Sequence, residues 1–309
     1  MSDRGIADRL QGVFLPVTTP FDEVTGEVAP VAWRENLRRY AQEPIDGLVL
    51  FGSTGEGELL DDDEKARLTA FARDVVPSSI VLMAGASANS TRGTIVAARA
   101  MAAEGAEVLL IHPPGYFGPY LSPAAMADHF RAVADASPVP VLIYHMPKYT
   151  GVTLDAGLMG ELVRHPNVIG LKDSSGDLKR FASYTDSCPP GKRLFVGNGT
   201  LLFAALELGG VGGILAIADF VPARCAELVA AFRAGEKTRA GALQETLAVV
   251  HKEIVAKHGP VGVKAAMDLL GWTGGPPRAP LQALDAKARA EVKRVLREAG
   301  VSLANAVEA

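Results

Sequence analysis

The sequence predicts a (β/α)8 TIM barrel with a C-terminal helical extension. Short β-rich runs alternate with helix-like stretches almost from one end to the other. Each run is near-continuously apolar, as a parallel strand covered on both faces must be. There are eight βα units, and they recur at a spacing of roughly thirty residues, the length of a strand plus its crossover helix. A doubly wound open sheet also alternates, but it carries a glycine-rich dinucleotide turn after its first strand. Here that turn reads LPVTTPF, and the later Gly197-Asn198-Gly199 has Leu202 where the last glycine would fall.

In chain order, strands are expected at VFLPVT (13–18), GLVLFG (47–52), IVLMAGA (80–86), VLLIH (108–112), PVLIYH (140–145), VIGLKD (168–173), RLFVGN (193–198) and GGILAI (212–217). Amphipathic stretches between them read as helices, for example 61–76 and 90–105. Asp61 with Glu64 forms a capping-box pattern with Asp in the Ser/Thr position, and Gly105 is placed to end its helix. The run Asp61 to Glu64 reads as a solvated helix N-terminus, favoured by the helix dipole. GGVGG (209–213) reads as tight helix-to-strand packing. The barrel is assigned to residues 1–234 and the extension to 235–309. The extension contains helices over 240–259, 260–271 and 286–300, a loop over 273–282, and packs on the barrel instead of standing alone.

Bulk properties narrow the function classes. With 309 residues, 48% apolar and 21% charged, the chain can fill a large core and stay soluble. A formal charge of −4 offers no electrostatic footprint for nucleic acid or an anionic membrane. Two cysteines far apart, Cys188 and Cys225, make neither a disulfide framework nor a CxxC metal site, so a reducing cytosol is expected. The N-terminus MSDRGIADRL has no apolar core of a signal peptide, and no apolar run is long enough to span a bilayer.

Barrel chemistry sits at the C-terminal ends of the strands. There the sequence places Gly52-Ser53-Thr54-Gly55-Glu56, His112 to Tyr116, Tyr144-His145, Lys172 to Ser175, Gly197-Asn198-Gly199 and Asp219. A lysine closing an apolar strand suggests amine chemistry on a carbonyl, because burial disfavours the ammonium form and leaves a nucleophile. A tyrosine hydroxyl can shuttle the protons of imine formation, and backbone N–H groups of a Gly-rich turn can hold a carboxylate. Taken singly, each residue has a plainer reading as a rim, core or turn residue. His112 and His145 are expected to line the mouth or bond to backbone, and no HExxH-like spacing suggests a metal. The coincidence of all these groups at one end of successive strands favours catalysis. No metal or organic cofactor is required.

The motifs PVTTPF (16–21), GSTGE (52–56), YHMPKYTG (144–151) and GLKDSSGD (170–177) resemble those of the class I pyruvate lyases of the dihydrodipicolinate synthase and N-acetylneuraminate lyase superfamily, over essentially the whole chain. The resemblance implies Lys172 as the Schiff-base lysine and Tyr144 as the proton donor and acceptor beside it. It implies Ser53 and Thr54, with Gly52, as the carboxylate-binding turn, the Ser53 hydroxyl joining the proton relay. Tyr116 falls where the family carries a second relay tyrosine supplied across a dimer interface. Gly197 and Ile214 match the pyruvyl pocket, and Ser174 and Tyr149 complete the expected substrate-binding set. The implied partners are a 2-oxo acid (pyruvate), an aldehyde, and further copies of the chain in a homodimer or homotetramer.

Within the superfamily, the sequence is most similar to 4-hydroxy-2-oxoglutarate aldolases. They share Lys-Asp-Ser-x-Gly-Asp and a Gly-Gly-Pro-x-Arg-Ala-Pro-Leu-Gln tail, here Gly274 to Gln282. Dihydrodipicolinate synthases carry an arginine at the position of Tyr149, and sialic acid lyases an Asp-Glu pair where Asn198-Gly199-Thr200 stands. The expected activity is therefore cleavage or formation of a 4-hydroxy-2-oxo acid, with Lys148, Tyr149 and His145 reaching the distal part of the substrate. The alternatives are condensation of pyruvate with aspartate semialdehyde, and a non-catalytic barrel that binds a 2-oxo acid.

Overall fold

The computed structural model describes residues 5–304. Residues 1–4 and 305–309, where the expected domain limits 1 and 309 fall, lie outside it. Eight strands are formed: β1 (Gly12–Leu15), β2 (Gly47–Leu50), β3 (Val81–Gly85), β4 (Val108–Ile111), β5 (Val141–His145), β6 (Val168–Asp173), β7 (Arg193–Val196) and β8 (Gly212–Ile214). All neighbours are parallel, and β8 pairs with β1 to close a TIM barrel. Side chains alternate across the pleat. One set, including Phe14, Val49, Met83, Leu110, Leu142, Tyr144, Phe195 and Ile214, fills the barrel interior. The other set, including Leu15, Leu50, Ile143, Leu171 and Val196, packs outward against the helices.

Most strands stop short of their expected C-terminal limits. The run expected at 47–52 ends at Leu50 because Phe51 turns to φ 56°, a left-handed conformation that breaks the ladder. Apolar content alone does not reveal that turn. The β5–β6 pairing contains a bulge, with Val141 opposite Val168 and Leu142 opposite Gly170. The extra residue shifts the register by one, so that Tyr144 pairs with Lys172. Counted from Val141 without the bulge, Tyr144 would face Leu171.

The helix signals hold at their expected ends. The helix Asp62–Val75 has the Asp61/Glu64 capping box, with Asp61 N–H donating to Glu64 Oε2 at 2.9 Å. The helix Thr91–Ala103 is capped by Ser90, and Gly105 beyond it takes φ +105°. In the extension, the helix Lys237–Val250 runs into a π turn, His251–Ala256. The chain kinks at Gly259 before Pro260, where two helices were expected to meet, and continues to Leu269. A last helix covers Ala286–Glu298. Among the described residues no helix is long and apolar enough to cross a membrane.

The extension is fastened to the barrel mouth by buried polar contacts. Lys264 Nζ lies 2.5 Å from Glu56 Oε1, donates to Pro276 O at 2.8 Å and sits over the Phe21 ring. Arg278 in the expected loop is an anchor. Its backbone N–H donates to Glu56 Oε2 and its guanidinium grips Glu64 through two bonds of 2.6 and 2.7 Å. Gln244 bridges Phe203 N–H and Gly199 O after β7. Removing one member of a buried ion pair strands the other charge. Lys264→Ala should therefore lower unfolding free energy by about 3–5 kcal/mol, and Glu56→Gln with Lys264→Met together should restore most of it. Denaturant midpoints of the two variants check both outcomes.

Candidate active site

Lys172 is next to last in β6, with Tyr144 of β5 on one side and Phe195 of β7 on the other. The pleat turns all three side chains into the barrel. Lys172 is 4% exposed, and its Nζ lies 4.2 Å from the centroid of the Tyr144 ring. Among the described residues no carboxylate reaches salt-bridge distance of it. Burial therefore lowers its pKa from the ordinary 10.5 to about 7, with Asp219 pulling weakly the other way. Asp219, in the turn after β8, is fully buried with neither carboxylate oxygen hydrogen-bonded, and burial raises its pKa well above the usual carboxylate range. The Tyr144 hydroxyl is 3.5 Å from Ser53 Oγ. Burial raises the phenol pKa, and hydrogen bonds from Ser53 and Ser174 act against that rise.

Ser53 and Thr54 lie in the 3-10 turn Ser53–Gly55, which follows β2 after Phe51 and Gly52. Phe51 and Glu56 flank the turn, both with left-handed backbones, and Glu56 is the residue held by Lys264. Gly197 leaves room for the amine. A Cβ there would fall 1.8 Å from Ser174 Oγ and 3.0 Å from Lys172 Cε.

A cavity of about 190 Å³ opens onto Lys172. Of the expected site residues it brings together Lys172, Tyr144, Ser53, Thr54, Ser174, Gly197, Ile214 and Tyr149. It adjoins a wider cavity of about 750 Å³, and the two share Ser53, Tyr144, Met146, Lys148, Tyr149 and Pro260. Gly52 and Tyr116 line only the wider one. Tyr116 is 78% exposed, held by its N–H to Asn89 Oδ1 and edge-on to Phe117. Within one chain it stands at the rim, apart from the Tyr144–Ser53 pair.

His145 is not where the sequence places it. The pleat that turns Tyr144 inward turns His145 outward, and it lines neither cavity. It is fully buried behind the strands, with Nδ1 2.8 Å from Asp173 Oδ1 and 3.2 Å from the Tyr184 hydroxyl. The expectation that it reaches the substrate is corrected accordingly. His112 does line the mouth and contacts the Pro113 carbonyl and Glu58. Lys148 and Tyr149 line both cavities as expected.

Sequence reasoning missed one wall of the inner cavity. His251, Val255, Pro260 and Val263 of the extension form part of its lining. Their only sequence signal is an amphipathic helix, which says nothing about what its apolar face covers. Among the described residues no three His, Cys, Asp or Glu side chains cluster as a metal-ligand set.

Fold and site together define an enzyme of the carbon–carbon lyase class, a parallel barrel with an uncompensated amine beside a tyrosine at its C-terminal mouth. More specifically, the chain belongs to the dihydrodipicolinate synthetase family, whose model matches residues 9–299. It is 34% identical over 281 residues to a 4-hydroxy-tetrahydrodipicolinate synthase from an Exiguobacterium species, covering 91% of this chain and 95% of that protein. Among solved structures it resembles the dihydrodipicolinate synthase of Cyanidioschyzon merolae with lysine bound, at TM-score 0.90 and 28% identity, covering 95% and 99% of the two chains. It also resembles an Escherichia coli K12 prophage protein of the same family in complex with pyruvate, at TM-score 0.88 and 26% identity, covering 94% and 99%.

An amine with a pKa near 7 is half neutral at neutral pH. Reaction of the Lys172 amine with a carbonyl reagent should rise about tenfold per pH unit below pH 7 and level off above it. A rate still climbing at pH 9, followed by stopped-flow or quenched single turnover, would contradict a desolvated amine.

Proposed function

We propose that the protein joins pyruvate to an aldehyde, or reverses that reaction, through an imine on Lys172. The observation behind this reading is the buried, unpaired amine stacked on Tyr144, whose hydroxyl reaches Ser53. In the forward direction the neutral amine attacks C2 of pyruvate, and Tyr144 passes the protons that turn the carbinolamine into an imine and water. The turn at Ser53 and Thr54 holds the carboxylate. The imine is an electron sink, so a C3 proton leaves and an enamine forms. The enamine C3 attacks the aldehyde carbon, the new alkoxide takes a proton, and water releases a 4-hydroxy-2-oxo acid and the free amine.

Two acceptors have support. Aspartate semialdehyde is favoured by the similarity to 4-hydroxy-tetrahydrodipicolinate synthases. Glyoxylate, giving 4-hydroxy-2-oxoglutarate, is favoured by the Lys-Asp-Ser-x-Gly-Asp stretch and the Gly274 to Gln282 tail, and the lining of the two cavities lacks the guanidinium expected for aspartate semialdehyde. Among the described residues no arginine borders either one, and the lysines there are Lys65, Lys148 and Lys172. A lysine holds a carboxylate as a point charge and cannot supply the bidentate grip of a guanidinium. The exposed aromatic group Tyr116, Phe117 and Tyr120 beside the mouth supports a homodimer or homotetramer. The unpaired thiols of Cys188 and Cys225 support a cytoplasmic setting.

Borohydride reduction in the presence of pyruvate should leave a reduced pyruvyl adduct on Lys172, located by peptide mass spectrometry. Lys172→Ala should lose both adduct and turnover with the fold intact, and retained turnover would sink the mechanism. Tyr144→Phe should lower kcat by about 10²–10⁴-fold, the usual weight of a positioned proton carrier. Coupled assays with aspartate semialdehyde and with glyoxylate decide between the acceptors.

A further inference from the structure

His251 opens the π turn His251–Ala256, where the helix Lys237–Val250 passes the barrel mouth. π turns are rare and recur at functional sites, because the extra residue re-aims a side chain. The imidazole is 5% exposed and lines the lysine cavity. Burial pushes its pKa down to about 4. Its Nδ1 is buried with no hydrogen-bond partner and packs against Gly199, where a Cβ would lie 2.8 Å from that nitrogen. A proton on Nδ1 would be an orphaned buried donor, so the favoured tautomer carries it on Nε2, the nitrogen on the opposite side of the ring.

Resting on the Lys172 imine reading, we infer that His251 sets specificity for the acceptor half of the substrate, donating a hydrogen bond from Nε2 to an oxygen beyond the new C–C bond. The pyruvate carboxylate is already provided for by the turn after β2. His251 lines the inner cavity against Gly199, which follows β7, so its donor is free for an oxygen that the aldehyde brings. A neutral donor there fits a carboxylate or hydroxyl oxygen and leaves the cavity no reason to favour a purely hydrocarbon acceptor. Gly199 belongs to the same device, since it is what lets the ring sit this close.

The test compares pyruvate addition to acetaldehyde with addition to glyoxylate or aspartate semialdehyde, whichever the wild-type protein accepts better. His251→Phe should lower kcat/KM for the oxygen-bearing aldehyde by about tenfold and leave that for acetaldehyde within about twofold, the weight of one hydrogen bond. Reducible pyruvate adduct on Lys172 should persist. His251→Gln, which keeps a donor, should recover part of the discrimination. Gly199→Ala, which displaces the ring, should reproduce its loss and serves if the Phe variant does not fold. Equal losses for both aldehydes, or an unchanged preference, overturn the inference while a persisting adduct leaves the imine reading standing. Absence of adduct in the wild-type protein removes both.

Discussion

A buried ammonium must find an anion or give up its proton, and this barrel contains both solutions about the same mouth. Lys264 and Lys172 are both almost inaccessible to water. Lys264 has Glu56 at 2.5 Å and the Pro276 carbonyl, so burial, which lowers its pKa, is opposed by a carboxylate in direct contact. Lys172 has an aromatic ring and the distant charge of Asp219, itself driven towards neutrality by burial. The first amine is structural because it is compensated. The second is the nucleophile we propose, because it is not.

The two lysines are connected through Glu56. The Lys264–Glu56 pair fixes the end of the Gly-Ser-Thr-Gly-Glu turn, and the start of that turn carries Ser53, the hydroxyl partner of Tyr144. Arg278 holds the same glutamate from its backbone and Glu64 from its side chain. The extension thus positions one side of the site through an ion pair and forms the other side with the π turn. On the outer face of the barrel, His145, Asp173 and Tyr184 tie together the ends of β5 and β6. His145 immediately follows Tyr144 in sequence, and Asp173 immediately follows Lys172. Polar groups outside the barrel brace those inside it.

This arrangement explains how a small cavity can combine opposing demands. The amine needs a dry wall, which Ile214, Val255 and Val263 supply. The substrate brings a carboxylate and oxygens, which need donors. In the proposed reading the donors are a backbone turn, hydroxyls and a neutral imidazole, none of which adds a like charge beside Lys172. Lys148, the other cation of the inner cavity, stands exposed towards the wider one, where water screens it.

Much of this was readable from the chain alone. Eight apolar runs with amphipathic spacers specify a parallel barrel, because only strands covered on both faces can be so uniformly apolar. Once the barrel is assumed, polar residues at the C-terminal ends of strands share one mouth, so Lys172, Tyr144, Ser53 and Thr54 could be grouped without coordinates. Tertiary structure decided three matters that involve counting or covering across the fold. The bulge between β5 and β6 set Tyr144 opposite Lys172, and a one-residue slip is invisible in composition. The pleat sent His145 outward, although it adjoins Tyr144 in sequence. The docking of the extension brought His251 and Lys264 to the mouth from far along the chain. Periodicity shows that a helix has an apolar face, and only packing shows what that face closes over.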